Sequence, residues 1–213
     1  MNPHFVINIG REFGCGAKQI GEIIAQRLGI ALYDKELINL AAIESGYAPE
    51  LFEHADEKER KGSLSAFIGY FRTPISGGYY GTSNPLSNDN LFKIQSDVIR
   101  RVANEESCIF IGRCADYILR DHPQAINIFF TADAEERIAR IASRNGCTKE
   151  EAACCLKRTD AERARYYNYY TGGNWGDAAQ YDLTINTSRL GDEATAELVL
   201  TYIAQRLKTP AAR

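Results

Sequence analysis

The sequence lacks long apolar runs, an excess of basic residues, and a pairing pattern among its cysteines. None of its apolar stretches approaches the roughly 20 residues that a membrane helix needs, and the first residues do not show the basic and then apolar regions of a secretory signal. The formal net charge is −3 and the pI about 5.7, whereas general nucleic-acid binders usually carry a basic excess. We therefore expect a cytoplasmic protein with neither a membrane nor a nucleic acid as partner.

The six cysteines occur without a C-x-x-C pair or a repeating framework, and none of the three histidines stands at a zinc-ligand spacing from a cysteine. This pattern predicts free thiols in a reducing compartment and no structural zinc. With 213 residues, 45% hydrophobic and 25% charged, the chain has ordinary globular composition. Its length favours one α/β domain with insertions over two independent domains.

Short apolar, β-rich segments alternate with stretches of helical periodicity along the chain. An opening strand, helix and strand predict a parallel sheet, and Gly29 stands where a helix C-cap glycine belongs. The predicted strands are residues 5–9, 30–34, 108–112, 125–130 and 181–186. The predicted helices are residues 18–28, 35–43, 91–103, 134–143, 149–170 and 192–207. Residues 62–90 are rich in Gly, Ser, Asn, Pro and Tyr and predict an insertion.

The glycine-rich segment between the first strand and the first helix reads GREFGCGAKQ over residues 10–19. A loop in this position can direct successive backbone N–H groups at a phosphate, and the helix dipole adds positive potential. The pattern G-x-x-x-x-G-K-[ST] is not matched, however, because Ala17 stands at the lysine position when Gly16 takes the second glycine position. Lys18 comes one residue late, so Arg11 is a candidate for the missing charge.

Two other interpretations of this loop remain open. The glycines could simply form a tight turn between strand and helix. A dinucleotide-binding fold is the second alternative, because Asp34 ends the second strand as the ribose-binding acid of that fold does. Against it, Gln19 occupies the third glycine position of G-x-G-x-x-G.

Arginines recur where a phosphate ligand is expected. Arg113 follows the third strand, at the carboxyl edge of a parallel sheet, although it could equally be a surface residue paired with Asp116. Arg158 and Arg165 are seven residues apart and share a helix face, with Arg163 nearby. A solvated, salt-bridged helix is the alternative there, but the Gly- and Trp-containing segment 172–176 that follows is typical of a hinged flap.

Five segments in order together resemble the cytidylate kinase-like family, a branch of the nucleoside-monophosphate kinases with a degenerate loop. They are GREFGCG at 10–16, YDKELI at 33–38, GRCAD at 112–116, RTDAERAR at 158–165 and YDLTINT at 181–187. The resemblance implies a three-layer P-loop kinase fold with a five-stranded parallel sheet in one domain, residues 1–213. It also implies an acceptor-binding insertion at about 38–90 and a helical lid at about 157–178.

The same resemblance implies ATP and Mg²⁺ as cofactors and small nucleotides as partners. It places the ATP phosphates on the loop and the acceptor beside Asp34 and Arg113. The ATP-binding residues it implies are Gly14, Cys15, Gly16, Ala17, Lys18 and Gln19. The catalytic residues it implies are Arg11, Arg113, Arg158, Arg163 and Arg165.

Three positions depart from active cytidylate kinases. Ala17 replaces the loop lysine, Gln19 replaces a hydroxyl that would help to ligate Mg²⁺, and Cys114 replaces the acid expected to bind the nucleoside sugar. The leading hypothesis is ATP-dependent phosphoryl transfer to a nucleoside monophosphate, with CMP or dCMP as first candidates. The alternatives are a nucleotide-binding protein without phosphotransferase activity and a kinase for another small metabolite. The sequence assigns neither Mg²⁺ ligands nor an oligomeric state.

Overall fold

The computed structural model describes residues 4–35, 38 and 88–208, and within them a five-stranded sheet forms the centre. The strand order is β2-β3-β1-β4-β5, and all four pairings are parallel. The strands are β1 Val6–Arg11, β2 Ala31–Tyr33, β3 Cys108–Ile111, β4 Ala125–Thr131 and β5 Leu183–Asn186. The five parallel strands expected from the sequence are confirmed.

Helices connect the strands, as parallel pairing requires. They are α1 Ala17–Leu28, α2 Asn88–Glu105, α3 Ala115–Ile118, α4 Ala134–Asn145, α5 Lys149–Thr171 and α6 Gly191–Arg206. Short 3₁₀ turns at Ala178–Gln180 and Thr187–Arg189 flank β5. Among the described residues, no helix combines the length and the apolar character that crossing a bilayer demands.

The core forms two layers because alternate strand residues point to opposite faces of the sheet. Val6, Cys108 and Phe110 belong to a cluster that includes residues of α2 and α3. Ile7 and Ile9 belong to a second cluster on the other face, which includes residues of α1 and α6. Sheet and helices therefore make three layers, and the α/β fold class expected from the sequence is confirmed.

Element boundaries differ from the sequence prediction in ways that matter for the site. Strand β1 continues to Arg11, which is aligned with Phe130 of β4, so Arg11 is a strand residue and not part of a free loop. Helix α1 ends at Gly29 in the left-handed conformation, φ 65°, as predicted. The sequence did not predict α3, whose four residues are too short for helical periodicity to show. The predicted helix 35–43 and insertion 38–90 lie almost entirely outside the described residues.

The sheet topology places two loops side by side. Strand β1 is the central strand, and its alignment of Ile9 with Ile111 of β3 brings the two strand ends to the same edge. The chain leaves β1 for β2 on one side and returns through β4 on the other, so this edge is a topological switch point. Ligands of open α/β sheets bind in the crevice at such a point.

Candidate active site

Two glycines in the left-handed conformation shape the loop between β1 and α1. Gly14 and Gly16 have φ of 85° and 88°, which L side chains rarely adopt. A Cβ on Gly14 would lie 3.0 Å from the backbone oxygen of Arg137, and one on Gly16 would meet Arg140 and lie 2.7 Å from Asp192 Oδ1. Gly16 is also the N-cap of α1, where exposed N–H groups and the helix dipole suit an anion.

Cys15 holds the middle of this loop as a buried filler. Its side chain is 1% exposed, and its backbone oxygen accepts a 2.7 Å hydrogen bond from Thr187 Oγ1. Burial raises the pKa of the Cys15 thiol to about 11, although a helix N-terminus by itself favours a thiolate. Near neutral pH the thiol is therefore protonated and a weak nucleophile.

The lysine position of the loop is closed to a long side chain. Ala17 is 4% exposed and belongs to the core cluster on the α1 face of the sheet. Lys18 follows about 100° further round the helix, and its Nζ lies 2.9 Å from Asp34 Oδ2. Lys18 therefore forms an ion pair with Asp34, on the β2 side of the loop.

The second loop at this edge is the turn after β3, where three successive residues are left-handed. Gly112, Arg113 and Cys114 have φ of 76°, 59° and 55°. Such a conformation costs about 1–2 kcal/mol for each residue with a side chain. Hydrogen bonds fix the turn: the Gly112 N–H donates to Ile9 O at 3.0 Å and the Ala115 N–H donates to Gly112 O at 3.2 Å. Non-glycine residues in this conformation are concentrated at functional sites.

Arg11 and Arg113 both lie over this turn. A Cβ on Gly112 would fall 2.8 Å from the guanidinium carbon of Arg11, so glycine is what allows Arg11 to pack there. The guanidinium of Arg113 lies 5.3 Å from the centre of the Tyr166 ring, in a cation–π contact. Arg113 thus packs on helix α5 and does not form an ion pair with Asp116.

Two cavities open at the strand ends. The loop cavity, about 890 Å³, is lined by residues 11–19 with Asp34, part of α4, and Asp192. The turn cavity, about 350 Å³, is lined by the turn after β3 with one face of α5, and by Trp175 and Tyr181. Of the residues described, those that line both cavities are Arg11, Lys35 and Arg163. The wall between the cavities is thus basic, and we call these three residues the shared wall.

Arg163 is the residue of helix α5 that reaches this wall. Its Nη1 donates to the backbone oxygen of Arg11 at 3.1 Å, and its guanidinium lies 5.3 Å from the centre of the Phe13 ring. Burial lowers the pKa of Arg163 from its usual value, but a guanidinium remains charged in proteins. Arg163 is therefore a fixed positive charge at the boundary between the cavities.

The structure does not bring Arg158 and Arg165 to either cavity. Both side chains are exposed on α5, and neither belongs to the wall of the loop cavity or of the turn cavity. The reason is helical phase. Residues seven apart share a face, as the sequence indicated, but Arg163 is turned from that face by about 140°.

A buried ionic network that the sequence did not reveal holds the loop against helices α4 and α5. Arg137 is 5% exposed and pairs with Glu12 at 3.1 Å and with Asp160. Its Nε donates to the backbone oxygen of Phe13 at 2.8 Å, while the Phe13 N–H donates to Asp160 Oδ1 at 2.8 Å. The loop backbone is therefore fixed by α4 and α5 together. Asp160 was within the RTDAERAR segment, but nothing in the sequence paired it with Arg137.

The carboxylates of the loop cavity are the candidate protein ligands for Mg²⁺. Glu12, Asp34 and Asp192 line this cavity, and each is paired with a cationic side chain. Within the described parts of the chain, no three His, Cys, Asp or Glu side chains group as metal ligands. Mg²⁺ in kinases is held largely by substrate phosphates and water with one or two carboxylates. Of the three cationic partners Lys18 is the most exposed, at 58%, so a bound cation would displace it most easily.

Fold and site together define a class of protein. A parallel sheet, a glycine loop at a helix N-terminus and a second cavity beyond a basic wall are the features of a P-loop kinase that acts on a small molecule. A solved shikimate kinase from Bacteroides thetaiotaomicron has this fold, with TM-score 0.51 and 12% identity over 94% of this chain and 98% of that one. At such identity the likeness shows the fold alone.

The family follows from a second comparison. The model of the cytidylate kinase-like family matches residues 6–189, and the chain belongs to this family. A cytidylate kinase from Sulfolobus acidocaldarius is 28% identical over 127 residues, which are 58% of this chain and 69% of that protein. An uncharacterized protein from Eubacterium ventriosum, of known structure, is 28% identical with TM-score 0.71 over 95% of this chain and 99% of that one. This chain matches 69% of the length of the Sulfolobus protein and 43% of the length of a cytidylate kinase from Ignicoccus hospitalis.

Proposed function

We propose that the chain transfers the γ-phosphoryl group of ATP to a nucleoside monophosphate, with CMP or dCMP as the first candidates. One observation carries this proposal: the two cavities meet at a wall of three basic residues, Arg11, Lys35 and Arg163. Phosphoryl transfer needs two ligands aligned across a centre of positive charge and little covalent help from the protein. The names of the curated relatives support cytidylate as the acceptor.

The loop cavity is the proposed donor site. Residues 14–19, from Gly14 to Gln19, would hold the ATP phosphates through backbone N–H groups at the start of α1. Bound Mg²⁺ would neutralise phosphate charge, with Asp34 beside it as the carboxylate. The Arg137 network supports this site by keeping the Phe13 peptide group, and hence the loop, in one conformation.

Arg11 and Arg163 are the proposed replacements for the missing loop lysine. Ala17 is buried and Lys18 is paired with Asp34, so the positive charge at the boundary comes from the shared wall. Charge that develops on the transferring group is best stabilised by cations already in place, because they need no reorganisation during the reaction. The hydrogen bond from Arg163 to the Arg11 backbone, at 3.1 Å, holds one of them there.

The turn cavity is the proposed acceptor site. Its volume of about 350 Å³ lies within the range of small-molecule sites, roughly 300–1,000 Å³. Arg113 and Lys35 would bind the acceptor phosphate, while Tyr166, Trp175 and Tyr181 supply flat apolar surface for a base or sugar. Asp34, which the family resemblance assigned to the acceptor, lines the loop cavity instead and contacts Lys18. A role on the acceptor therefore needs Asp34 to act across the shared wall.

Arg158 and Arg165 have a proposed catalytic role on the family resemblance only. In the present arrangement of α5 they are exposed, so that role requires a different position of the lid helix. Loss of either would then lower kcat as much as loss of Arg163. The geometry favours Arg163, and comparison of Arg158→Ala, Arg165→Ala and Arg163→Ala in one assay decides between the two views.

The remaining features of the family description are proposals as well. We infer one domain over residues 1–213, with an acceptor-binding insertion at about 38–90 and a lid at about 157–178. We also infer a cytoplasmic enzyme whose partners are small nucleotides. Helix α5 supports the lid assignment, because its residues Arg163, Tyr166 and Tyr167 form one side of the turn cavity.

A coupled assay of ADP release from Mg²⁺-ATP tests the function. It should be run with CMP, dCMP, UMP and AMP as acceptors, and with shikimate and gluconate as small alcohols. Turnover with CMP or dCMP above the ATPase background supports the proposal. Absence of turnover with every nucleoside monophosphate contradicts it.

A second function has its own supporting observation. Ala17 lacks the charge that phosphoryl transfer normally uses, which favours a nucleotide-binding protein without phosphotransferase activity. That function predicts ATP binding by calorimetry with no turnover on any acceptor. Turnover with an alcohol alone would instead indicate a metabolite kinase, consistent with Cys114 in place of the expected acid.

A further inference from the structure

The acid that the sequence lacks at position 114 has a counterpart two residues later. Cys114 is 3% exposed, and burial raises its pKa to about 12, so it offers an acceptor neither charge nor a strong hydrogen bond. Asp116 is half-buried in the first turn of α3 and lines the turn cavity. The cavity thus retains a carboxylate although the expected position has none.

The left-handed turn explains how Asp116 arrives there. Arg113 and Cys114 continue the left-handed path of Gly112, so α3 begins directly at the strand end, with Cys114 as its N-cap. The Ala115 N–H donates to Gly112 O, which closes this tight start. The strain of the turn therefore places Asp116 at the cavity wall, and side chains at 113, 114 and 116 all line the same cavity.

A hydrogen-bonded relay holds the Asp116 carboxylate. The Tyr167 hydroxyl lies 2.7 Å from Asp116 Oδ2 and 2.6 Å from Gln180 Oε1. Tyr167 is only 7% exposed, so its ring is fixed in the core and its hydroxyl position is set by packing. The phenol has a single hydrogen, which it shares between Asp116 and Gln180, so it orients the carboxylate without neutralising it.

The charge around this carboxylate indicates what it binds. Arg113 and the shared wall give the turn cavity its cations, which would bind an acceptor phosphate. Among the residues that the structure describes, no cation pairs with Asp116, and the phenol of Tyr167 contacts its carboxylate. A carboxylate with spare lone pairs in a cavity is a specific acceptor for a hydroxyl or amino group of a ligand. It also disfavours a second phosphate close by.

We propose that Asp116 takes the place of the acid missing at position 114 and accepts a hydrogen bond from a donor group of the phosphoryl acceptor. This inference rests on the proposed function and specifies the acceptor further: a monophosphate that carries a hydroxyl or amino donor remote from its phosphate. In CMP that donor is the 2′-hydroxyl of the sugar or the exocyclic amino group of the base. Tyr167 is the positioning residue for Asp116.

The chain offers a direct readout of this cavity. Trp175 is the single tryptophan of the sequence and lines the turn cavity, where it packs edge-on against Phe129 at 5.6 Å. Its fluorescence can report acceptor binding without ATP and without turnover. The ligands are CMP, dCMP, which lacks the 2′-hydroxyl, and the pyrimidin-2-one ribonucleotide, which lacks the exocyclic amino group. Asp121→Asn is the matched control, because that side chain is 91% exposed and outside the cavity.

The Asp116→Asn variant should bind CMP about 10- to 100-fold more weakly than the wild type, the effect of losing a hydrogen bond to a charged group. Asp121→Asn should bind it unchanged. The analogue that lacks the relevant donor should bind the wild type and Asp116→Asn equally. If the wild type binds only dCMP more weakly than CMP, the donor is the sugar hydroxyl. If it binds only the pyrimidin-2-one ribonucleotide more weakly than CMP, the donor is the amino group.

Tyr167→Phe provides a second variant with the ring retained. It should melt within a few degrees of the wild type and weaken CMP binding less than Asp116→Asn does, since the carboxylate remains but is less fixed. If both variants are folded and bind CMP as the wild type does, while CMP turnover persists, the inference about Asp116 is overturned and the proposed function stands. If the wild type neither binds nor phosphorylates any monophosphate, the proposed function fails and this inference fails with it.

Discussion

The two turns at the edge of the sheet differ in the residues that occupy their left-handed positions. In the loop after β1 the left-handed positions are glycines, Gly14 and Gly16, and a Cβ at either would crowd residues of α4. In the turn after β3 two of the three left-handed positions carry side chains, Arg113 and Cys114. The first turn offers its backbone to a ligand and excludes side chains. The second accepts backbone strain in order to present side chains.

This difference assigns the two turns different ligands. A backbone cradle at a helix N-terminus binds phosphate groups whatever molecule carries them. A turn that presents Arg113 and directs Asp116 into a cavity can distinguish one small molecule from another. The loop after β1 therefore suits the common donor, and the turn after β3 suits the specific acceptor. Variants of each turn and of the shared wall test this division.

The backbone cradle depends on the buried Arg137. Arg137→Met should lower the free energy of unfolding by about 3 kcal/mol, because two carboxylates lose their partner. The value is at the low end for buried pairs since Glu12 and Asp160 retain 25% and 17% exposure. Urea unfolding measures it. Arg189→Met, which removes an ion pair whose arginine is 71% exposed, should cost less than about 1 kcal/mol, and equal losses would refute the anchoring role.

The shared wall lines both cavities, and Arg11 is the residue of that wall to test first. Arg11→Ala should reduce kcat with CMP by about 10²- to 10³-fold, the usual effect of removing one preorganised stabilising group. Arg100→Ala, on α2 and outside both cavities, serves as control because its side chain is 52% exposed. Steady-state rates provide the measurement. A change of less than about threefold would show that Arg11 does not replace the loop lysine.

Exchange of side chains at the left-handed positions sharpens the comparison. Gly16→Ala should destabilise the fold by about 1–2 kcal/mol from its backbone conformation alone. The Cβ would also crowd Arg140 and Asp192, so ATP affinity should fall while CMP affinity is retained. Calorimetry with each nucleotide checks this. Equal loss of both affinities would mean that the two sites are not separate.

Arg113→Gly is the reverse exchange. Glycine adopts φ 59° without strain, so the substitution should stabilise the fold by about 1 kcal/mol through the backbone. Loss of the cation–π contact with Tyr166 should offset this gain. The variant should unfold at the same urea concentration or a slightly higher one, yet bind CMP more weakly and ATP equally well. A large loss of stability would indicate that Arg113 is structural and that the turn is not strained for a ligand.

Thiol reactivity gives the smallest expected effect. With a pKa of about 11, about one in a thousand Cys15 thiols is ionised at pH 8. Iodoacetamide should therefore modify the exposed Cys154 first and leave Cys15 unmodified. Because the pKa is raised, Cys15 modification should increase as pH rises towards 11. Mass spectrometry of peptides follows both sites, and comparable rates at pH 8 would contradict a buried, filler role for Cys15.

The sequence predicted the sheet because strand periodicity and glycine boundaries are local signals. Five strands, the α1 boundary at Gly29 and the position of the glycine loop all follow from residues close together in the chain. Those parts of the candidate site that lie at strand and helix ends were therefore predictable from the sequence. Arg113 was identified because it follows a predicted strand, and Arg11 because the glycine loop lacks its lysine.

Other parts of the site depend on contacts that no local pattern encodes. Arg137 contacts Phe13 across 124 positions, and its partner Asp160 is on another helix. Side-chain phase on α5 decided that Arg163, and not Arg158 or Arg165, faces the cavities, and that phase depends on how the helix packs. Nothing in the letters of Gly112-Arg113-Cys114 marks the last two as left-handed, because neither residue type favours that conformation.

A bisubstrate compound tests the shared wall most directly. Adenosine and cytidine joined through five phosphates would occupy both cavities at once, with the bridging phosphates beside Arg11 and Arg163. We expect it to bind at least about 10²-fold more tightly than ATP or CMP alone, the gain of linking two sites that one ligand can span, and Arg11→Ala should remove most of that gain. Binding no tighter than ATP, with CMP still able to bind alongside it, would contradict the account.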